Sequence, residues 1–279
     1  MSYYNPCEIA DIFGSASKSK SQTPFLKFAI MAIMGGMFIA LGGLLTVVVA
    51  GGMGEIALKN IGLVKFTAGA LFPVGLIMVS VAGADLFTSD CAGMTLSTMQ
   101  KKTLFRDLIR VWVLSYIFNF VGSQLIAYFM AYKTGILNAE ATAYLTNLAN
   151  SKLKYPMTTV FLKGIGANAL VCLGTWMGYA GKDIIGKSFG IWVPVMLFVT
   201  LGYEHSIANM FFIPTAIYTG ADISWGQFIV DNLIPATIGN IVGGAVVIGL
   251  ALGYIYNKKE KRIYRIIDIS GNSWVHLSK

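Results

Sequence analysis

Two apolar runs in this chain break at the same kind of place. Phe72–Thr88 reads Phe-Pro-Val-Gly-Leu-Ile-Met-Val-Ser-Val-Ala-Gly-Ala-Asp-Leu-Phe-Thr, and Val199–Pro214 reads Val-Thr-Leu-Gly-Tyr-Glu-His-Ser-Ile-Ala-Asn-Met-Phe-Phe-Ile-Pro. In each, a glycine is followed two residues later by an acid: Gly83 with Asp85, Gly202 with Glu204. Hydrocarbon offers no water to an unpaired amide, so irregular backbone at membrane depth is tolerated only inside protein or along a cavity. Matching interruptions in the two halves of one chain therefore mark a site near the bilayer midplane, between two repeats.

The rest of the chain has the composition of a multi-pass membrane protein. Of its 279 residues, 56% are hydrophobic and only 12% charged, against about 25% charged in an ordinary soluble domain. Taking roughly 20 apolar residues per crossing, we expect spans near Phe28–Ala50, Phe66–Met94, Leu108–Ala131, Thr158–Tyr179, Gly190–Tyr218 and Gln227–Tyr256. The second and fifth are too long, and too polar in the middle, to be single straight helices. This divides the chain into a polar N-terminal helix (1–24), a six-span transmembrane domain (25–256) and a polar tail (257–279).

Charge sets orientation and excludes other classes. Lys18, Lys20, Lys101, Lys102, Arg106, Lys182, Lys187 and the run Lys258–Arg265 fall on one side; Lys59, Lys133, Lys152 and Lys154 fall more sparsely on the other, with the acidic loop of Asp222. The denser side is the cytoplasmic one, which places both termini inside. The net charge of +8 is explained by these flanks, and with no clustered basic face no nucleic-acid partner is expected. Cys7, Cys91 and Cys172 have neither metal-ligand spacing nor a disulfide framework. No phosphate loop, Gly-x-Ser-x-Gly or His-Glu-x-x-His is present, so neither an enzyme nor a cofactor or metal site is expected.

Local signals add detail. Asn5-Pro6 before Glu8-Ile-Ala-Asp-Ile-Phe13 predicts a capped helix with Pro in its first turn. Its Ile9, Ile12 and Phe13 would lie on the membrane or under a pore. Gly239 and Gly243 have the spacing that lets membrane helices approach closely. The stretch Lys27…Gly42 resembles Lys163…Gly178, a weak trace of an internal repeat.

His205 is the focus for chemistry, because an ionisable side chain at mid-membrane is costly and marks function by default. Glu204 precedes it and Asn209 follows one turn later; Asn168, in the fourth span, is placed to meet them across the bundle. The alternative is a histidine that only ties two helices together. Asp85 and Glu204 are expected to receive the amides freed by the breaks. Lys152 reads either as a snorkelling anchor or as a cation drawing anions to a pore mouth.

With Ala82–Thr88, Gly202–Met210, the Asn-Pro-x-Glu start and Gly164–Asn168 (Gly-Ile-Gly-Ala-Asn), the chain resembles the formate/nitrite transporter family over nearly its whole length. The Thr88 loop and Lys152 are most similar to its hydrosulfide channel branch. The resemblance implies an all-α, aquaporin-like six-helix bundle of two inverted repeats, assembled as a homopentamer in a bacterial cytoplasmic (inner) membrane. It implies that Phe72, Leu76 and Phe198 form an outer constriction, and that Leu86, Phe87 and Thr88 are a mobile loop forming an inner one with Val171. His205, with Asn168 and Asn209, would be the polar point between them, and Lys152 the basic residue feeding the vestibule. The implied passengers are hydrosulfide, which the branch resemblance favours, and also formate and nitrite, moving with protons, through a channel or a proton-coupled carrier. A neutral-solute pore is the alternative, though no Asn-Pro-Ala occurs.

One residue departs from the family pattern. Asp90 stands where a neutral residue is expected, and would either cap the second half-helix or face the pore and disfavour anions. Desolvating a bare anion in an apolar slit is prohibitive while a neutral acid passes cheaply. A proton or a hydrogen bond from His205, with Thr88 and loop amides as a transient cradle, would make the passage possible.

Overall fold

A computed structural model of the chain describes residues 3–256, 263–267 and 273–277. Five helices among them are long and apolar enough to cross a membrane: α2 (Phe25–Gly51), the pair α4 and α5 (Ile61–Leu71 and Val74–Ala82, joined as Ile61–Ala82), α7 (Phe105–Lys133), α9 (Met157–Ala180) and α12 (Trp225–Tyr256). The second crossing continues past a break into α6 (Phe87–Met99). Two shorter apolar helices, α10 (Ile184–Thr200) and α11 (Ser206–Tyr218), follow one another where the fifth span was expected. The second crossing begins at Ile61 rather than Phe66, because the Asn60 side chain accepts from the Leu63 N–H and caps α4 there. A short α3 (Gly54–Lys59) precedes it.

Besides α3, two helices among the described residues lie outside the crossings, one before each half of the chain. The first, α1 (Pro6–Ser21), starts at a capping box in which Asn5 and Glu8 satisfy each other's backbone N–H groups. Its Ile9, Ala10 and Phe13 are buried against Ala92, Leu96, Cys172 and Trp176. It is thus docked on α6 and α9, where the sequence suggested a membrane surface or a plug. The second, α8 (Ala139–Leu153), is capped by Asn138 and lies between the third and fourth expected spans.

Glycine sets how closely the crossings pack. A Cβ on Gly36 of α2 would lie 2.0 Å from the Asn119 carbonyl oxygen of α7, and one on Gly239 of α12 would lie 2.2 Å from that of Phe161 in α9. Only backbone without a side chain permits this approach. Gly239→Leu will therefore force α9 and α12 apart and lower stability by about 3 kcal/mol, read as an earlier thermal transition and loss of assembled protein in detergent.

The two halves repeat the same contacts. Lys20 and Lys152, Pro24 and Pro156, Met31 and Lys163, and Ala32 and Gly164 stand the same distance apart in sequence. Each pair holds the same post: Met31 and Lys163 carbonyls accept from Asp85 and Glu204 N–H, and Ala32 and Gly164 carbonyls accept from the Asn119 and Asn240 side chains. The pairing of Lys27 with Lys163 suggested by the sequence is thus off by one helical turn. Glycine- and alanine-rich helices look alike every turn, so pattern alone does not fix their register.

The membrane body is all-α. Beyond it, β1 (Ile263–Ile267) and β2 (Ser273–Leu277) pair antiparallel, a feature the polar tail did not suggest. The basic run 258–265 falls mostly outside the described residues.

Candidate functional site

Both breaks are the same motif. α5 ends at Gly83 with φ +77°, and α10 is followed by Gly202 with φ +69°. The next N–H in each case, Ala84 and Tyr203, returns to the carbonyl five residues earlier, Val79 and Phe198. This is a Schellman closure with glycine in the left-handed position it demands. After two more residues, the second of them an extended N-cap, Leu86 or His205, the second half-helix begins.

The amides freed at the breaks do not go to the acids, as the sequence suggested. The Phe87 N–H donates to Asn119 Oδ1 at 2.9 Å, and Ser206 N–H to Asn240 Oδ1 at 2.8 Å. The same two side chains donate their Nδ2 to the Asp85 and Glu204 carbonyls, at 2.9 and 2.8 Å. Asn119 on α7 and Asn240 on α12 therefore stitch each loop to the neighbouring crossing. An amide side chain suits the post because it donates and accepts at once.

The acids instead face cations. Glu204 Oε2 accepts from Lys152 Nζ at 3.0 Å, Asn209 Nδ2 at 2.7 Å and Asn232 Nδ2 at 3.2 Å. Lys152 is only 8% exposed, so it is neither a snorkelling anchor nor a free cation at a mouth. Asp85 lies 2.7 Å from Lys20 Nζ, which α1 supplies. Burial tends to lower the pKa of Lys20, but Asp85 and Asp90 outweigh it and hold the ammonium above the ordinary lysine value.

Between the breaks lies a narrow gap, closed too tightly to admit a water molecule and lined by Ile39, Phe72, Leu76, Leu86, Val171, Val195, Phe198 and His205. Most of these lining residues are repeat equivalents: Ile39 with Val171, Leu76 with Val195, Leu86 with His205. The last pair occupies the N-cap positions of α6 and α11. Seven apolar side chains and one imidazole form the wall. His205 Nδ1 accepts from the Ala208 N–H at 3.1 Å, so a neutral ring carries its proton on Nε2. Nε2 lies 3.0 Å from Thr88 Oγ1, and the ring stacks on Phe198 at 5.7 Å.

The expected site residues are placed unequally. Phe72, Leu76, Phe198, Leu86, Val171 and His205 share the cavity wall. Phe87 is instead turned onto Tyr116, rings 4.9 Å apart and edge to face. Asn168 donates to the Asn240 carbonyl and accepts from Cys172, tying α9 to α12 rather than meeting His205. Asn209 supports Glu204. Asp90 neither caps α6 nor faces the cavity; its Oδ1 binds Lys20 at 2.6 Å. Sequence reasoning missed Lys20, Asn119, Asn232 and Asn240. The only signal for the three asparagines was a polar residue within an otherwise apolar run.

The comparisons with known proteins agree with this architecture. Residues 7–254 match the family model described as formate/nitrite transporter. A relative from Methanothermobacter thermautotrophicus named "probable formate transporter" is 41% identical over 273 residues, covering 92% of this chain and 99% of its own. Among solved structures, an "FNT family ion channel" aligns with a TM-score of 0.79 at 26% identity, over 89% of this chain and 97% of that one. A "pentameric formate channel with formate bound" aligns with a TM-score of 0.73 at 31% identity, over 84% and 98%.

Proposed function

The chain belongs to the formate/nitrite transporter family, and on that footing we propose that it passes small monovalent anions of weak acids, formate first among them, through the cavity between its two broken crossings. It is a multi-pass membrane transporter, not an enzyme. Relatives named for formate support formate as the leading passenger; hydrosulfide and nitrite share its size class, charge and weak-acid chemistry. The protein works as a homopentamer in a bacterial cytoplasmic membrane, with α1 on the inner side. A pentameric relative and the outward apolar stripe Ile109, Val113, Ile117 and Val121 of α7 support the assembly.

One observation carries the reading: across a wall of repeat-paired apolar residues, symmetry is broken by a single polar side chain, His205 opposite Leu86. An anion stripped of water in such a slit loses many kcal/mol of solvation. The Nε2–H of His205, with the Thr88 hydroxyl at 3.0 Å, offers it a hydrogen bond at the narrowest place. A doubly protonated ring would have to release the Ala208 amide from Nδ1. The geometry therefore favours His205 as a neutral hydrogen-bond donor, with the proton that neutralises the passenger coming from the aqueous vestibule.

The deciding experiment is flux into sealed proteoliposomes of formate, hydrosulfide, nitrite, chloride and glycerol, each offered separately. Rapid weak-acid anion uptake without glycerol supports the reading; rapid glycerol uptake without anion selectivity overturns it. His205→Leu will lower formate flux at least about tenfold, the effect of losing roughly 1.4 kcal/mol of stabilisation at the narrowest point. His205→Asn keeps a side-chain acceptor for Ala208 and a donor toward the cavity, and will retain more flux than the leucine variant. Equal losses in the two variants would exclude hydrogen-bond donation as the role of this position.

A further inference from the structure

The two cation–acid sites are related by the repeat, yet they are not balanced alike. At the α8 end, Lys152 meets one carboxylate, and Glu204 also draws donors from Asn209 and Asn232. At the α1 end, Lys20 Nζ sits between two carboxyl groups, 2.7 Å from Asp85 Oδ1 and 2.6 Å from Asp90 Oδ1. Asp90 is 1% exposed and its carbonyl accepts from Trp112 Nε1, so both it and its side chain are fixed. Its second oxygen, and Oδ2 of Asp85, have no hydrogen-bond partner.

Lys20 also borders open space. A cavity of about 300 Å³ at the α1 end is lined by Lys20 together with Ser19, Thr23, Ser80, Ser89 and Thr175, among others. Lys20 is the one cationic side chain in that lining, and 20% of its side chain is exposed. Hydroxyls and a lone ammonium are the chemistry that would hold a small anion emerging from the narrow cavity. An ammonium has three donors, however, and two of them already point at carboxyl oxygens.

We infer that Asp90 is a specificity-determining residue of the α1 end: by drawing Lys20 between two carboxyl groups it withholds that cation from the cavity and keeps the affinity for anions arriving from that face low. The inference rests on the anion-transport reading above. Removing the second acid while keeping its shape should turn the same cavity into an anion site. A unit charge about 5 Å away changes an anion's energy enough, even in water, for a shift of about threefold or more.

The test uses the full-length assembled protein, oriented in proteoliposomes, with formate offered from either face, and Asp90→Asn beside the wild type. The half-saturating formate concentration at the α1 face should fall at least threefold in Asp90→Asn, and that at the α8 face should stay unchanged. In detergent, formate should raise the melting temperature of Asp90→Asn more than that of the wild type, while formamide, its neutral analogue, should raise neither. Adding Lys20→Met should abolish the gain. Asp90→Ser, a smaller polar replacement, repeats the test if the asparagine variant assembles poorly. Equal shifts at both faces, or no shift in a folded variant, would overturn the inference, as would failure of both variants to assemble, which would make Asp90 a structural counter-ion. A wild type that passes no anion at all refutes the transport reading instead.

Discussion

Replacing Lys152 by Met will destabilise the protein by about 3–5 kcal/mol, the cost of leaving a buried charge without its partner. Glu204 is 1% exposed, and three donors converge on its Oε2, only one of them charged. Without Lys152 the two asparagine amides remain, but nothing balances the carboxylate. Adding Glu204→Gln to Lys152→Met should recover most of the loss, because a neutral amide oxygen still accepts from Asn209 and Asn232. The check is thermal or chemical unfolding of the two single variants and the double variant in detergent. A double variant no better than Lys152→Met would mean that Lys152 matters for its packing in α8 rather than for its charge.

The second large effect belongs to an uncharged residue. Asn240→Leu removes the acceptor of the Ser206 N–H and the donor to the Gly164 and Glu204 carbonyls, at a position that is 0% exposed. Each orphaned backbone group costs about 1–3 kcal/mol, so a loss of about 3 kcal/mol or more is expected, accompanied by faster hydrogen exchange at the Ser206 amide. Asn119→Leu should behave alike at the other break, exposing the Phe87 amide. If only one of the two variants loosened its loop, the repeats would be alike in geometry but not in energetics.

Much of this was legible in the chain because it is local. A glycine, one residue and an acid inside an apolar run announces a closed helix end at membrane depth, and Gly83 and Gly202 take the left-handed conformation such an end needs. Asn5, Pro6 and Glu8 likewise announced α1. What escaped reading is non-local. Lys20 looked like one of several basic flanks, and only packing carries it to Asp85, beyond the whole first crossing. Lys152 could be placed only as flanking the fourth span, because its carboxylate partner, Glu204, lies beyond that span in the chain. Asn119 and Asn240 showed burial and nothing more, since their partners lie on other crossings. Phe87 followed the resemblance, while its ring follows Tyr116.

The placement of α1 and α8 defines what the unit of this fold is. Each helix precedes three crossings, and each delivers the lysine that balances the acid in its own half. The repeating unit of the fold is therefore a helix plus three crossings, not three crossings alone: each half carries its own counter-ion and its own amide stitch, and is electrostatically complete without the other.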